Sequence, residues 1–265
     1  MELTDGLLER DRFNLHYWTG GKAAAPLVVF THGASLDHHE WDPTWPLAGG
    51  NFRVLTWDVR SHGLSRPAPF VFKDAVADLL ALLDKLQVEQ AIFVGHSMGG
   101  NLQQELVFRH PERVKALVCL DCTWNFQKLS AMDSFVLKYA TPLFKIYPYK
   151  MLINQSLEAT ATSKESQEFM RPAMESFSKD ELIQILTATF DCLHYEPDYR
   201  INKPLLLIVG DKDASGNIRK IMPVWAGHEP DCRFVVIPDA KHAANLDNPE
   251  LFHATLMDFL MTRCQ

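Results

Sequence analysis

Apolar runs and amphipathic stretches alternate along this chain, and their order predicts most of its elements. Leu27-Val28-Val29-Phe30-Thr31 is continuous, apolar and β-branched, as a strand buried on both faces must be, and His32-Gly33 stops it. Arg53-Val54-Leu55-Thr56-Trp57, stopped at Asp58, is the next such run. Ala91-Ile92-Phe93-Val94, Val114 to Leu120, Leu205 to Val209 and Arg233 to Ile237 complete the set. Between them, Phe72, Val76, Leu79, Leu83 and Leu86 recur at spacings of four and three, one face of an amphipathic helix. Gly100 to Arg109 reads as a helix ending at Pro111. Phe252, Leu256, Phe259 and Leu260 give a closing helix its apolar face. Glu40 to Leu47 offers a short helix, weakened by Pro43 and Pro46. Strands alternating with helices imply an α/β class: a mostly parallel sheet with helices on both faces.

From about Thr123 to Ile201 the alternation stops. Helical patches, aromatics and methionines fill this run, without a strand pattern. A connection that long is not structureless inside a compact domain. We therefore expect a core of residues 1–122 and 202–265, with 123–201 inserted as a helical cap (a lid) over the C-terminal ends of the strands, where open α/β sheets bind ligands. The length of 265 residues fits one large domain with such an insertion.

Composition narrows the partners. A hydrophobic content of 47% supports a large core and argues against disorder. A formal charge of −7 argues against nucleic acid or an anionic membrane surface as partner and suits solubility. Five cysteines, an odd number, scatter through the chain, which suggests reduced thiols and a cytoplasmic setting. Cys119-Leu120-Asp121-Cys122 has C-x-x-C spacing but no second pair at zinc spacing, so packing is its expected role. His38 and His39 beside Asp37 and Glu40 read as a polar loop, and no metal is expected. Met1-Glu2-Leu3-Thr4-Asp5 lacks the basic and apolar regions of a signal peptide, so none is expected. Nor does any apolar run approach the roughly twenty residues of a membrane span.

The strongest chemical signal is Gly95-His96-Ser97-Met98-Gly99, directly between a predicted strand and a predicted helix. G-x-S-x-G in that setting forms a turn sharp enough to strain the serine backbone and lift its Oγ over the sheet edge. A side chain at either flanking glycine would collide with the adjoining strand or helix. The helix N-terminus turns its free N–H groups to the same spot. A serine hydroxyl is a poor nucleophile without an oriented general base. His242, in a short loop after the last strand, is the candidate base. His96 points from the opposite side of the elbow and is expected to pack or hydrogen-bond near the pocket. His228 and His253 read as solvated or helix-face residues. Three carboxylates could serve as the acid: Asp211 and Asp213 after the strand ending at Val209, and Asp121 at the end of an earlier strand. The oxyanion needs two preorganised N–H donors. Met98, immediately after the nucleophile, supplies one, and Ala34, in the loop after Thr31, supplies the other. Ser35 either adds a hydroxyl there or is a plain loop serine.

With these residues in place, the chain resembles the α/β-hydrolase superfamily nearly end to end. His32-Gly33 is similar to its oxyanion-loop signature. Asp58-Val59-Arg60-Ser61-His62-Gly63-Leu64-Ser65 resembles its D-x-R-G-H-G-x-S segment, with Ser61 where glycine is usual. Gly210-Asp211-Lys212-Asp213 resembles its acid segment, which points to Asp213 as the triad acid, Asp211 as a turn residue and Asp121 as a loop brace. Pro238-Asp239-Ala240-Lys241-His242 resembles its histidine segment, with Lys241 where glycine is common, and Asn248-Pro249-Glu250 matches the start of its final helix.

The departures from the family narrow the chemistry. Dehalogenases and epoxide hydrolases of the fold carry an aspartate where Ser97 stands. Carbon–carbon bond hydrolases usually carry a tryptophan soon after the histidine, and Ala243-Ala244-Asn245-Leu246 follows here. Arg171, the cap arginine, reads as a surface charge. The resemblance thus implies a serine esterase: a Ser97–His242–Asp213 triad cleaving a small to medium carboxylic ester through an acyl-enzyme, with no cofactor. A lactonase, a peroxidase-like activity, a C–C hydrolase and a low-turnover ligand sensor are the alternatives. The expected partner is a small-molecule ester, on a monomer or homodimer. Ser35, His96 and Trp124 are the substrate-binding candidates. Trp124, Phe126, Phe135, Tyr139, Phe144, Tyr147 and Met151 supply apolar area to the cap, and more than half of them are expected to pack its own core.

Overall fold

Each of the six apolar runs becomes a strand of one eight-stranded sheet. The computed structural model describes residues 2–264, with the side chains of 136, 138, 140, 141 and 143 outside that description. Met1, read above with the N-terminal segment, also lies outside it. The strands are β1 (Thr4–Arg10), β2 (Phe13–Gly21), β3 (Leu27–Thr31), β4 (Arg53–Trp57), β5 (Ala91–His96), β6 (Val114–Leu120), β7 (Leu205–Gly210) and β8 (Cys232–Ile237). Their spatial order is β1-β2-β4-β3-β5-β6-β7-β8. β2 runs antiparallel to both β1 and β4, and every pairing from β4 through β8 is parallel. This is the α/β-hydrolase fold.

The central strands are buried on both faces, and the alternation of side chains divides the core in two. Leu27, Val29, Leu55, Phe93, Leu117 and Leu207 face one layer. Helices α2 (Phe72–Lys85), α3 (Met98–Arg109) and α8 (Ile218–His228) pack there. Val28, Phe30, Val54, Ile92, Val118 and Ile208 face the other. That layer holds α1 (Trp45–Gly49) and α10 (Pro249–Arg263), with the short α9 (Ala244–Asp247) before α10.

The β1–β2 hairpin, α8 and the segment from Glu40 to Leu47 escaped the sequence reading or took another form. The β1–β2 hairpin is half-exposed and polar, so it shows no apolar run. Pro223 interrupts the pattern of α8, although Ile218, Met222 and Trp225 are buried on one face of it. The helix expected over Glu40 to Leu47 divides into a 3-10 turn, His38–Trp41, and α1, as the prolines require.

Between β6 and β7 lie α4 (Ala131–Ile146), α5 (Tyr149–Thr160), α6 (Lys164–Glu175) and α7 (Lys179–Ala188), followed by a 3-10 turn, Thr189–Cys192. Among the described residues this segment contains no strand. Ser130 and Ser178 cap α4 and α7 with reciprocal capping boxes to Asp133 and Glu181. Two bridges tie these helices to the sheet domain. Arg66 donates to the Ser176 carbonyl at 2.8 Å, pairs with Glu181 at 2.8 Å and covers the Phe177 ring. At the end of α5, Thr160 accepts the Ala243 N–H at 2.8 Å, and the Thr162 N–H reaches Asp247 at 2.9 Å.

Candidate active site

The elbow takes the shape its glycines require. Ser97 sits at φ 49°, ψ −115°, a left-handed conformation that side chains rarely adopt. A Cβ at Gly95 would lie 2.5 Å from the Gly99 carbonyl carbon, and one at Gly99 only 2.3 Å from the Thr31 carbonyl oxygen. Gly100 is equally constrained, because its Cβ would meet Cys122 Sγ at 2.7 Å. Ser97 is the N-cap of α3, so the Met98 N–H opens the helix without a carbonyl partner inside it.

The structure brings Ser97, His242 and Asp213 into one chain of contacts. His242 Nε2 lies 2.9 Å from Ser97 Oγ, and His242 Nδ1 lies 3.0 Å from Asp213 Oδ2. Asp213 is buried, and its other oxygen accepts the Ser215 N–H at 2.7 Å. Burial works to raise the Asp213 carboxyl, but the His242 ring beside it holds it below the ordinary value of 3.8. Asp211 instead accepts the Ala240 N–H at 3.2 Å and closes the turn. Asp121 accepts the Gly210 N–H at 2.7 Å and the Ala244 N–H at 3.0 Å, bracing both loops from beneath.

Ser97 and His242 open onto a cavity of about 510 Å³. Ala34, Ser35 and Leu36 form one edge of it, and α4, α5, α6 and α7 supply much of the wall. Its lining is mainly apolar, with Leu137, Phe144, Met174, Leu186, Leu193 and Ile218 prominent. Thr123, Gln127 and Asn217 add a polar flank whose groups bond to one another at 2.7 to 2.9 Å.

Several expectations about this pocket need correction. Trp124 does not line the cavity. It is buried against the His228 ring, 4.7 Å away, while its neighbour Thr123 lines the cavity. Ser35 lines the cavity, but its hydroxyl donates to the Ala34 carbonyl. His96 stands at the back of the cavity, 1% exposed, and is engaged by protein groups on both ring nitrogens. Of the seven cap residues singled out for apolar area, only Phe144 lines the cavity. Trp124 and Phe126 are core, while Phe135, Tyr139 and Met151 are exposed. Methionine and leucine positions on α6 and α7 do the lining instead, and in sequence they are indistinguishable from helix-core residues. His228 and His253 are half-buried and bonded, His228 to the Tyr199 carbonyl at 3.0 Å and His253 to Thr44 Oγ1 at 3.1 Å. Arg171 lies on the surface among Glu168, Glu175 and Asn154.

The unusual Ser61 adopts φ 68°, the conformation for which glycine is usual, and its hydroxyl donates to the Ala68 carbonyl. Asp58 accepts the His38 and Leu64 N–H groups at 2.9 and 2.7 Å, so the segment braces loops beside the site. All five cysteines are free. Among the described residues no helix is long and apolar enough to cross a membrane.

Residues 28–255 match the model of the alpha/beta hydrolase family, and the chain belongs to that family. A serine hydrolase-like protein of Danio rerio is 24% identical over 268 residues, covering 88% of this chain and 81% of the relative. The 3-oxoadipate enol-lactonase 2 of Acinetobacter baylyi is 33% identical over 106 residues, which is 39% of this chain and 40% of the lactonase. A thermophilic esterase from Thermogutta terrifontis superposes with a TM-score of 0.82 at 19% identity, covering all of both chains. The chain is thus a hydrolase by family.

Proposed function

We propose that this hydrolase is a serine esterase acting on a small to medium carboxylic ester with an apolar acyl group. The observation that carries this reading is the Ser97–His242–Asp213 relay, at 2.9 and 3.0 Å, opening on an apolar cavity. Ser97 Oγ attacks the ester carbonyl while His242 Nε2 takes its proton. Asp213 holds the imidazole in the productive tautomer and stabilises the imidazolium. The Met98 and Ala34 N–H groups receive the developing oxyanion, each contributing about 3 kcal/mol to its stabilisation. His242 then protonates the departing alcohol, and water, activated by the same histidine, releases the acid from the acyl-enzyme.

Residues 123–201 act as a cap in this scheme, carrying much of the cavity wall on the core of 1–122 and 202–265. The scattered cysteines support the cytoplasm as its setting. Lactone hydrolysis is the second reading, favoured by the similarity to the Acinetobacter enol-lactonase, and it uses the same residues on a cyclic ester.

Initial rates on chromogenic esters of graded acyl length, and on a matched lactone series, test the proposal. Turnover that disappears in Ser97→Ala is the expected result. Lactone turnover far above ester turnover transfers the assignment to a lactonase. A folded wild-type protein that binds these compounds without turning them over overturns the reading in favour of a sensor.

A further inference from the structure

Behind the relay lies a second pair of titratable groups that the reaction itself does not use. Glu40 and His96 are 2% and 1% exposed, with Glu40 Oε1 2.7 Å from His96 Nδ1. Burying two charges is costly unless every remaining polar atom is engaged. Here the remaining contacts lead to the three loops that build the site. Glu40 Oε2 accepts the Gly33 N–H at 2.8 Å, in the oxyanion loop next to Ala34. Glu40 Oε1 also accepts from Asn245 Nδ2 at 3.3 Å, three residues beyond the candidate base. His96 Nε2 donates to the His242 carbonyl at 2.7 Å, and its own backbone adjoins Ser97. The fit excludes even one methyl group, because a Cβ at Gly33 would lie 2.6 Å from His96 Nδ1.

We propose that Glu40 and His96 are positioning residues: a buried ion pair that fixes the oxyanion loop, the elbow and the histidine loop relative to one another. The proposal rests on the serine hydrolase reading of Ser97 and His242. His96 faces a carboxylate on one nitrogen and a carbonyl on the other. The carbonyl only accepts, so Nε2 carries a proton, and the Glu40 charge at ion-pair distance favours a second one on Nδ1. Burial alone would push the His96 imidazolium down, but Glu40, with a smaller contribution from Asp121, holds it up at about 9. Burial likewise acts to raise Glu40, and His96, aided by the Gly33 N–H and His32, keeps it below its ordinary value. A pair that stays charged across the neutral range holds its geometry there. Sequence offered no sign of it, since Glu40 reads as one charge in a polar loop.

The test uses the whole protein and a fluorophosphonate, which reports the activation of Ser97 without reference to the natural substrate. Glu40→Gln keeps the shape and removes the charge. Displacements of about 1 Å at a catalytic group cost on the order of 100-fold in rate, so labelling and kcat should fall by that order while KM holds. His96→Gln, which keeps a neutral donor, should show the same split. Should either single variant melt early, the double variant Glu40→Gln/His96→Leu leaves no unpaired charge, so it should fold and still be slow. Folded variants with unchanged labelling and kcat overturn the proposal, as does a rate loss that follows only the loss of folded protein or a change in KM alone. A wild-type protein whose Ser97 is not labelled at all sinks the hydrolase reading itself.

Discussion

Asp121 and Asp213 grip the histidine loop from opposite sides of one residue. Asp213 meets the His242 ring at 3.0 Å, and Asp121 accepts the Ala244 N–H at 3.0 Å. Their surroundings divide them. Burial, reinforced by the charge of Asp213, works to raise the Asp121 carboxyl, while His96 and the Gly210 and Ala244 N–H groups work to keep it charged. The His242 ring outweighs burial at Asp213 and holds it below. Two carboxylates after adjacent strands thus take different tasks, one orienting a ring and the other holding main chain.

Asp213→Asn should therefore lower kcat by roughly 10⁴-fold through loss of the productive tautomer, with little change in melting temperature. Asp121→Asn should do the reverse, because one of its two accepting oxygens becomes a donor facing a backbone N–H. An unmet buried partner costs about 1–3 kcal/mol. Kinetics and thermal melts on both variants check the division, and equal rate losses would refute it.

The Glu40–His96 pair makes stability depend on pH. His96 is held at about 9 in the folded chain against its ordinary 6.5, so its contribution is complete below 6.5 and is lost as pH rises through 9. Glu40 is held below its ordinary 4.5, so its contribution is complete above 4.5 and is lost as pH falls through the depressed value. Melting temperature should be highest between these limits and decline towards pH 9. In Glu40→Gln that alkaline decline should flatten.

Gly99→Ala should be among the most damaging single-methyl additions in the chain. The new Cβ meets backbone oxygens of Thr31 and His32 at 2.3 and 2.9 Å, and neither can swing aside. Forced overpacking of this kind costs about 3 kcal/mol or more. A lowered melting temperature with loss of Ser97 labelling is expected; wild-type behaviour in both assays would show that the elbow tolerates a wider turn.

Leu186, on α7, reaches the cavity although it lies far in sequence from the relay. Leu186→Trp should fill part of the 510 Å³ and shift the preferred acyl chain to a shorter one. An unchanged chain-length profile would place the acyl group elsewhere.

The sheet was largely legible because central strands must be apolar on both faces, as Leu27–Thr31 and Leu205–Gly210 are. Ser97 and His242 were legible as candidates because a glycine-bracketed serine and a loop histidine occupy strand ends. The choice of Asp213 over Asp211 and Asp121 needed the family resemblance, since all three follow strands. Trp124 was misread because it follows the strand end and has the largest side chain there, whereas its neighbour Thr123 is the one that lines the cavity. The Glu40–His96 pair was illegible because it joins residues 56 apart in sequence, and only the fold makes them neighbours.

The bridge between the end of α5 and the histidine loop has a mechanical consequence. Thr160 takes the Ala243 N–H, and Asp247 takes the N–H groups of both Thr162 and Lys241, so the segment flanking His242 is stitched to the helix above it. The position of α5 and that of the loop carrying His242, the base of the proposed reaction, are thus set by one group of hydrogen bonds. In the proposed reaction the wall of the cavity and the proton acceptor therefore share one anchorage.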